Sequence, residues 1–163
     1  LVVESTGIYD SLDPLDGLLP NQIDNIMISE SVPQVQLTTT PKSKKVFGVI
    51  AKVEKDGENR VNGISSIFNG VVNKDRNRYN INSIGEGAIW ICNECGNLEN
   101  GDLLCSSSLK GYAMKQDDDL VHNYTIGKIT MDCNFDMRQK KKYKTRYVQG
   151  AKCAFVGCVY CCG

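Results

Sequence analysis

Residues 85–116 read GEGAIWICNECGNLENGDLLCSSSLKGYAMKQ, and NYTIGKITM follows at 123–131. Three short apolar runs, AIWIC, LLCS and YAM, are separated by glycine- and asparagine-rich turns. Runs this short between turn formers predict strands. In NYTIGKITM, strand phase would place Tyr124, Ile126, Lys128 and Thr130 on one face. Thr125, Ile129 and Met131 would face the other way, with a break at Gly127.

The same texture extends on both sides. VFGVIAKV (46–53) is apolar and β-branched, and Asp56-Gly57 after it is a hairpin signal. Further strands are predicted in GISSIFNGVV and NRYNINSI, and RYVQGAKCAFVGCVYCCG closes the chain as a long β-prone run. Seven or more short strands imply a mainly β fold, a compact barrel or sandwich. Residues 1–45 read differently, as an irregular N-terminal segment ahead of a β-rich domain at 46–163. DSLDPLDGLLP is turn-rich, and Asn21–Glu30 predicts a short helix capped by Asn21. SVPQVQLTT is partly in strand phase, and PKSKK is a basic turn. No repeat of 20–50 residues is present.

Composition narrows the function classes. Of 163 residues, 41% are hydrophobic and 23% charged, which is globular rather than disordered. Nineteen basic residues balance nineteen acidic ones, so no dedicated nucleic-acid surface is expected. No apolar run approaches the ~20 residues that span a bilayer, so no membrane insertion is expected. LVVESTGIYD lacks the basic start and apolar stretch of a secretion signal, and reduced thiols are therefore expected for the eight cysteines. The sequon Asn123-Tyr124-Thr125 lies in a predicted strand.

Several constellations could carry chemistry. Cys92-x-x-Cys95 and Cys158-x-x-Cys161 would together supply four thiolates for a tetrahedral zinc ion if distant hairpins brought them together. The alternative is small apolar cysteines filling a core, with no cofactor. His122 is the lone imidazole, which excludes a two-histidine zinc helix and reads as a loop residue after Asp117-Asp118-Asp119. That acidic triplet lacks the alternating ligands of a calcium loop and reads as a solvated face. RQKKKYKTR (138–146) reads as an exposed lysine-rich hairpin tip. Gly85-Glu86-Gly87 precedes a strand and is no dinucleotide loop. Near the start, ESTGIYD places hydroxyls beside two carboxylates. A strained backbone there would let a Ser or Thr attack its own preceding carbonyl.

The central stretch resembles the C-terminal intramolecular-chaperone autoprocessing domain of viral tail spikes and neck appendages. The matching residues are Gly87, Trp90, Gly96, Gly101, Asp102, Ser106, Ser107, Gly111, Tyr112, Thr125, Gly127 and Lys128. VFGVIAKV is similar to a strand upstream in that family, so the likeness runs from about Val46 to Lys128. AFVGC near the end looks like homologues of large DNA viruses. The resemblance implies a domain that trimerises with copies of itself, meets other virion proteins, and is assembled into particles in the host cytoplasm. It also implies self-cleavage as an activity of the type, with Ser5 as nucleophile, Asp10 as the acid and Glu4 as the second carboxylate. A capsid cement protein without catalysis and a zinc-stabilised binding module are the competing readings.

Overall fold

The computed structural model describes residues 1–10, 32–53, 79–136 and 142–162, with the side chains of 8–10, 32 and 33 outside that description. Ten strands dominate it: β1 (Val2–Asp10), β2 (Val32–Leu37), β3 (Val46–Val53), β4 (Tyr79–Asn82), β5 (Ile84–Cys92), β6 (Leu103–Ser106), β7 (Ala113–Lys115), β8 (Thr125–Ile129), β9 (Lys144–Val148) and β10 (Ala151–Cys161). The mainly β expectation holds. The predicted helix at 21–30 and the Asp56-Gly57 hairpin lie outside the described residues.

One sheet has the order β2-β1-β3-β4. β1 sits between β2 and β3, antiparallel to both, so the first residues of the chain are a central strand with an apolar inner face. Val2 and Val3 are fully buried. The other sheet runs β5-β7-β6-β8-β10-β9, and β10 also pairs with β5 along nine residues. The ladder β5-β7-β6-β8-β10 therefore returns to its start, and β9 extends from β10 as a hairpin arm. Joining the edges in this way removes strand ends that would otherwise pair indiscriminately. The terminal β-prone run is divided by a turn at Gln149-Gly150, where both residues take positive φ.

Core composition follows from the strand period. Ile89 and Ile91 on β5, Leu104 on β6, Ile126 and Ile129 on β8, and Val156 on β10 meet inside the ring with almost no exposure. Each such side chain contributes roughly 1.5–3 kcal/mol by leaving water. The predicted phase of NYTIGKITM fails at one point. Leu104 pairs with Gly127, but Cys105 pairs with Thr125, so Ile126 is the extra residue of a β-bulge. The bulge resets the alternation, and Thr125, Ile126, Gly127 and Ile129 are all buried while Lys128 points out. Asn123 and Tyr124 form the turn before β8, which takes the sequon's asparagine out of the strand.

Two glycines are required by close approach. A Cβ on Gly127 would lie 2.1 Å from the Val159 carbonyl oxygen, so β8 and β10 can pair at this point only without a side chain. The Tyr160 ring covers Gly87, and its hydroxyl donates to the Ala88 carbonyl at 2.6 Å. The two sheets are joined near residue 1: Val2 N–H donates to Gly111 O, Gly111 N–H to Thr38 O, and Lys42 N–H to Ser106 O. No helix among the described residues is long and apolar enough to cross a membrane.

Candidate functional site

In β1, Glu4 and Ser5 are neighbours on a strand and face opposite sides. Glu4 is buried, and its carboxylate accepts from Ser43 Oγ at 2.6 Å and from Gln36 Nε2 at 2.9 Å. Ser5 is partly exposed. Its Oγ accepts the Gly7 N–H at 3.1 Å, in the stretch where Gly7 takes positive φ and the β1–β2 register shifts. Ser5 and Glu4 are therefore not brought together, because extended backbone separates adjacent side chains. Asp10 pairs with Val32 at the far end of β1, five residues along, and its side chain is outside the description.

The hydroxyl that does meet Glu4 belongs to Ser43, which the sequence reading passed over inside the basic turn PKSKK. Ser43 N–H donates to Ser106 Oγ at 2.8 Å, and Ser106 Oγ donates to the Thr40 carbonyl at 2.8 Å. This chain, Glu4–Ser43–Ser106–Thr40, spans the two sheets at their junction. Three of its members are buried. A buried carboxylate is tolerated only where donors surround it. The arrangement orients a turn, and both Glu4 oxygens accept hydrogen bonds from neighbouring side chains. One signal could have found it: Ser43 lies between lysines, where a small polar residue can turn inward as the charged ones turn out.

The residues that carry the family resemblance map onto architecture. Asp102 Oδ2 accepts the Glu99 N–H at 2.7 Å and pairs with Lys115 at 2.8 Å, fixing the turn in which Gly101 takes positive φ. Ser107 Oγ donates to the Tyr112 carbonyl at 2.9 Å, and Gly111 takes positive φ in the turn between them. Gly96 ends a 3-10 turn at Asn93–Cys95. Thr125 Oγ1 donates to Gln116 Oε1 at 2.8 Å.

Trp90, Tyr112 and Phe155 form an aromatic cluster outside the ring. Trp90 lies 5.2 Å from Phe155 and 6.2 Å from Tyr112, centre to centre. The Arg146 guanidinium stacks 3.8 Å above Trp90 and donates to the Tyr112 hydroxyl. The one described arginine of the basic run is thus a packing partner of Trp90 and Tyr112.

The four cysteines of the zinc reading are not brought together. Cys92 sits opposite Cys153, while Cys158 sits opposite Gly87, five residues along both strands. That separation is about 16 Å at ~3.3 Å per residue, several times the span of a tetrahedral site. Among the described residues no group of His, Cys, Asp or Glu could hold a metal. The described cysteines are free thiols. Burial pushes Cys105 up to about 12, Cys162 to about 12, and Cys153 and Cys158 to about 11. These are packing thiols, held neutral.

His122 is a loop residue, as expected. Its Nε2 meets both Asp118 oxygens at 3.0–3.1 Å, and its ring stacks on Tyr124 at 4.7 Å. Asp118 also accepts from Leu120 N–H and from buried Gln116, and the Leu120 contact leads in holding its carboxyl below the ordinary range. The acidic triplet is thus partly engaged: Asp118 organises its loop, and Asp117 pairs with Lys42 at 2.7 Å.

An exposed apolar face remains at the far end of β5 and β10. Ile84 is 83% exposed and lies opposite Cys161, while Val159, 39% exposed, lies opposite Glu86 on one side and Lys128 on the other. Val159 and Cys161 share a strand face, so Ile84, Val159 and Cys161 form one patch with a carboxylate and an ammonium in its middle row. The chain matches no family model, no curated protein and no solved structure.

Proposed function

We propose that this chain is the self-associating assembly domain of a virion fibre or spike, of the intramolecular-chaperone type, and that it acts as a homotrimer. The observation that supports it most is the Ile84–Val159–Cys161 face, which leaves a nearly bare isoleucine exposed on a paired strand end. Burying that side chain against a second copy contributes roughly 1.5–3 kcal/mol per protomer. Glu86 and Lys128 beside Val159 supply opposite charges that a rotated copy can match. A fibre's non-local β contacts close slowly, so a compact cap that associates first holds three chains in register.

The reading is assembly without cleavage at Ser5. Cutting the Glu4–Ser5 peptide would release Val2, Val3 and Glu4, all buried in a central strand that also joins the sheets. Intact mass of the incubated chain beside Ser5→Ala tests this part. Full mass in both is expected, and a serine-dependent loss of the first four residues contradicts it. Light scattering across a concentration series tests association, with Ile84→Lys and Val159→Lys expected to dissociate the oligomer.

A further inference from the structure

A groove of about 590 Å3 lies between the Asn93–Cys95 turn, the segment around Asn134 and the β9–β10 hairpin, remote from the Ile84 face and independent of the assembly reading. Three asparagines line it, and each has its carbonyl oxygen already committed. Asn93 Oδ1 accepts the Lys152 N–H at 2.9 Å, Asn97 Oδ1 the Phe135 N–H at 3.0 Å, and Asn134 Oδ1 the Asp136 N–H at 2.7 Å. Fixing the oxygen fixes the plane and the direction of each NH2 group. Among the described residues no acceptor meets any of the three amide nitrogens.

Two more groups complete the lining. Tyr147 lines the groove and is 61% exposed. Lys152 is its direct cross-strand neighbour on the same face, and its ammonium meets no carboxylate among the described residues. Asp136 is also part of the lining. The groove thus offers pre-oriented amide donors, one cation and an open aromatic ring.

We infer that this groove binds a neutral saccharide chain. A sugar ring offers hydroxyl oxygens that accept from amides and an ammonium, and a C–H face that lies against a tyrosine ring. A purely apolar ligand would leave the amide donors unpaired and desolvated.

The test is saturation-transfer NMR on the full chain with lactose, chitotriose, maltotriose and xylotriose, followed by titration of the responding sugar. Saturable binding with Kd on the order of 1 mM is expected from one stacked ring and a few net hydrogen bonds. Tyr147→Ala, at an exposed position, should weaken it by about tenfold or more. Asn97→Asp is the sharper variant. It keeps an oxygen for the Phe135 N–H, and so the turn, while replacing the donor with an anionic acceptor. The thermal midpoint should stay, and saccharide binding should fall about tenfold. No saturable response to any of the four sugars overturns the inference. So does a response that both variants leave unchanged, or one shared by heparin and double-stranded DNA and abolished by 0.5 M salt, about five times an ordinary ionic strength.

Discussion

Adding one methyl group at Gly127 tests how the ring of strands is closed. A Cβ there would sit 2.1 Å from the Val159 carbonyl oxygen, whereas real Cβ contacts stay beyond 3.0 Å. Both atoms belong to paired backbone, so β8 and β10 must separate by about 0.9 Å. A ladder bond of ~2.9 Å then stretches to about 3.8 Å, outside hydrogen-bonding range. Only three residue pairs join these strands, so two bonds lost inside a buried ladder cost about 3 kcal/mol. In a chain of this size that lowers the thermal midpoint by about 6–12 °C. Gly157→Ala is the matched control. Its Cβ would meet only the Thr130 hydroxyl at 2.9 Å, a side-chain atom that can rotate away, and its cost should be about 1 kcal/mol or less. Circular-dichroism melts of both variants beside wild type decide the matter. Equal midpoints for Gly127→Ala and Gly157→Ala would refute the closure described here.

Glu4→Gln should destabilise by about 1–3 kcal/mol in urea titration, because an amide NH2 would face the Ser43 or Gln36 donor; Ser5→Ala should change stability by less than about 0.5 kcal/mol. The raised thiols set an alkaline limit. An unfolded cysteine loses its proton near 8.5–9, but Cys105, Cys153, Cys158 and Cys162 retain theirs to about 11–12 in the fold. The folded chain therefore binds more protons across that window. The thiols' contribution should be constant below about pH 8.5 and fall as pH rises from about 9 to 11, and a midpoint that rises there would contradict the burial of these thiols. Arg146→Ala should cost about 1 kcal/mol and shift the emission of Trp90, the lone tryptophan. Arg146→Lys should restore the charge without restoring the spectrum, since an ammonium does not stack.

The strands of the central stretch were legible because glycine and asparagine punctuate AIWIC, LLCS and YAM at short intervals, and no helical spacing competes. The phase of β8 was not legible. Its bulge at Ile126 is set by the partner strand β6, and nothing within NYTIGKITM announces two residues facing one. The place of β1 was hidden for a similar reason. Leu1–Asp10 mixes apolar and polar residues without strong alternation, and only pairing with β2 and β3 makes it central. The buried Glu4–Ser43–Ser106 chain joins residues 39 and 63 positions apart, a contact that local spacing does not encode. The two Cys-x-x-Cys pairs left zinc open beside core packing, and spacing alone could not decide between them; the register of β5 against β10, which places the pairs at different heights, is a long-range property. His122 followed the plain loop reading because its bonds to Asp118 are local, whereas Asp117 of the acidic triplet meets Lys42, 75 positions away, a contact that local spacing does not encode.

Self-association through the Ile84 face is measured most directly by multi-angle light scattering. The 18.0 kDa chain should elute as a trimer of about 54 kDa, and the Ile84→Lys, Val159→Lys double variant should fall to 18.0 kDa with an unchanged circular-dichroism spectrum. A mass of 18.0 kDa for the wild-type chain at every concentration would contradict the assembly role, and a trimer that survives both lysines would place its interface elsewhere.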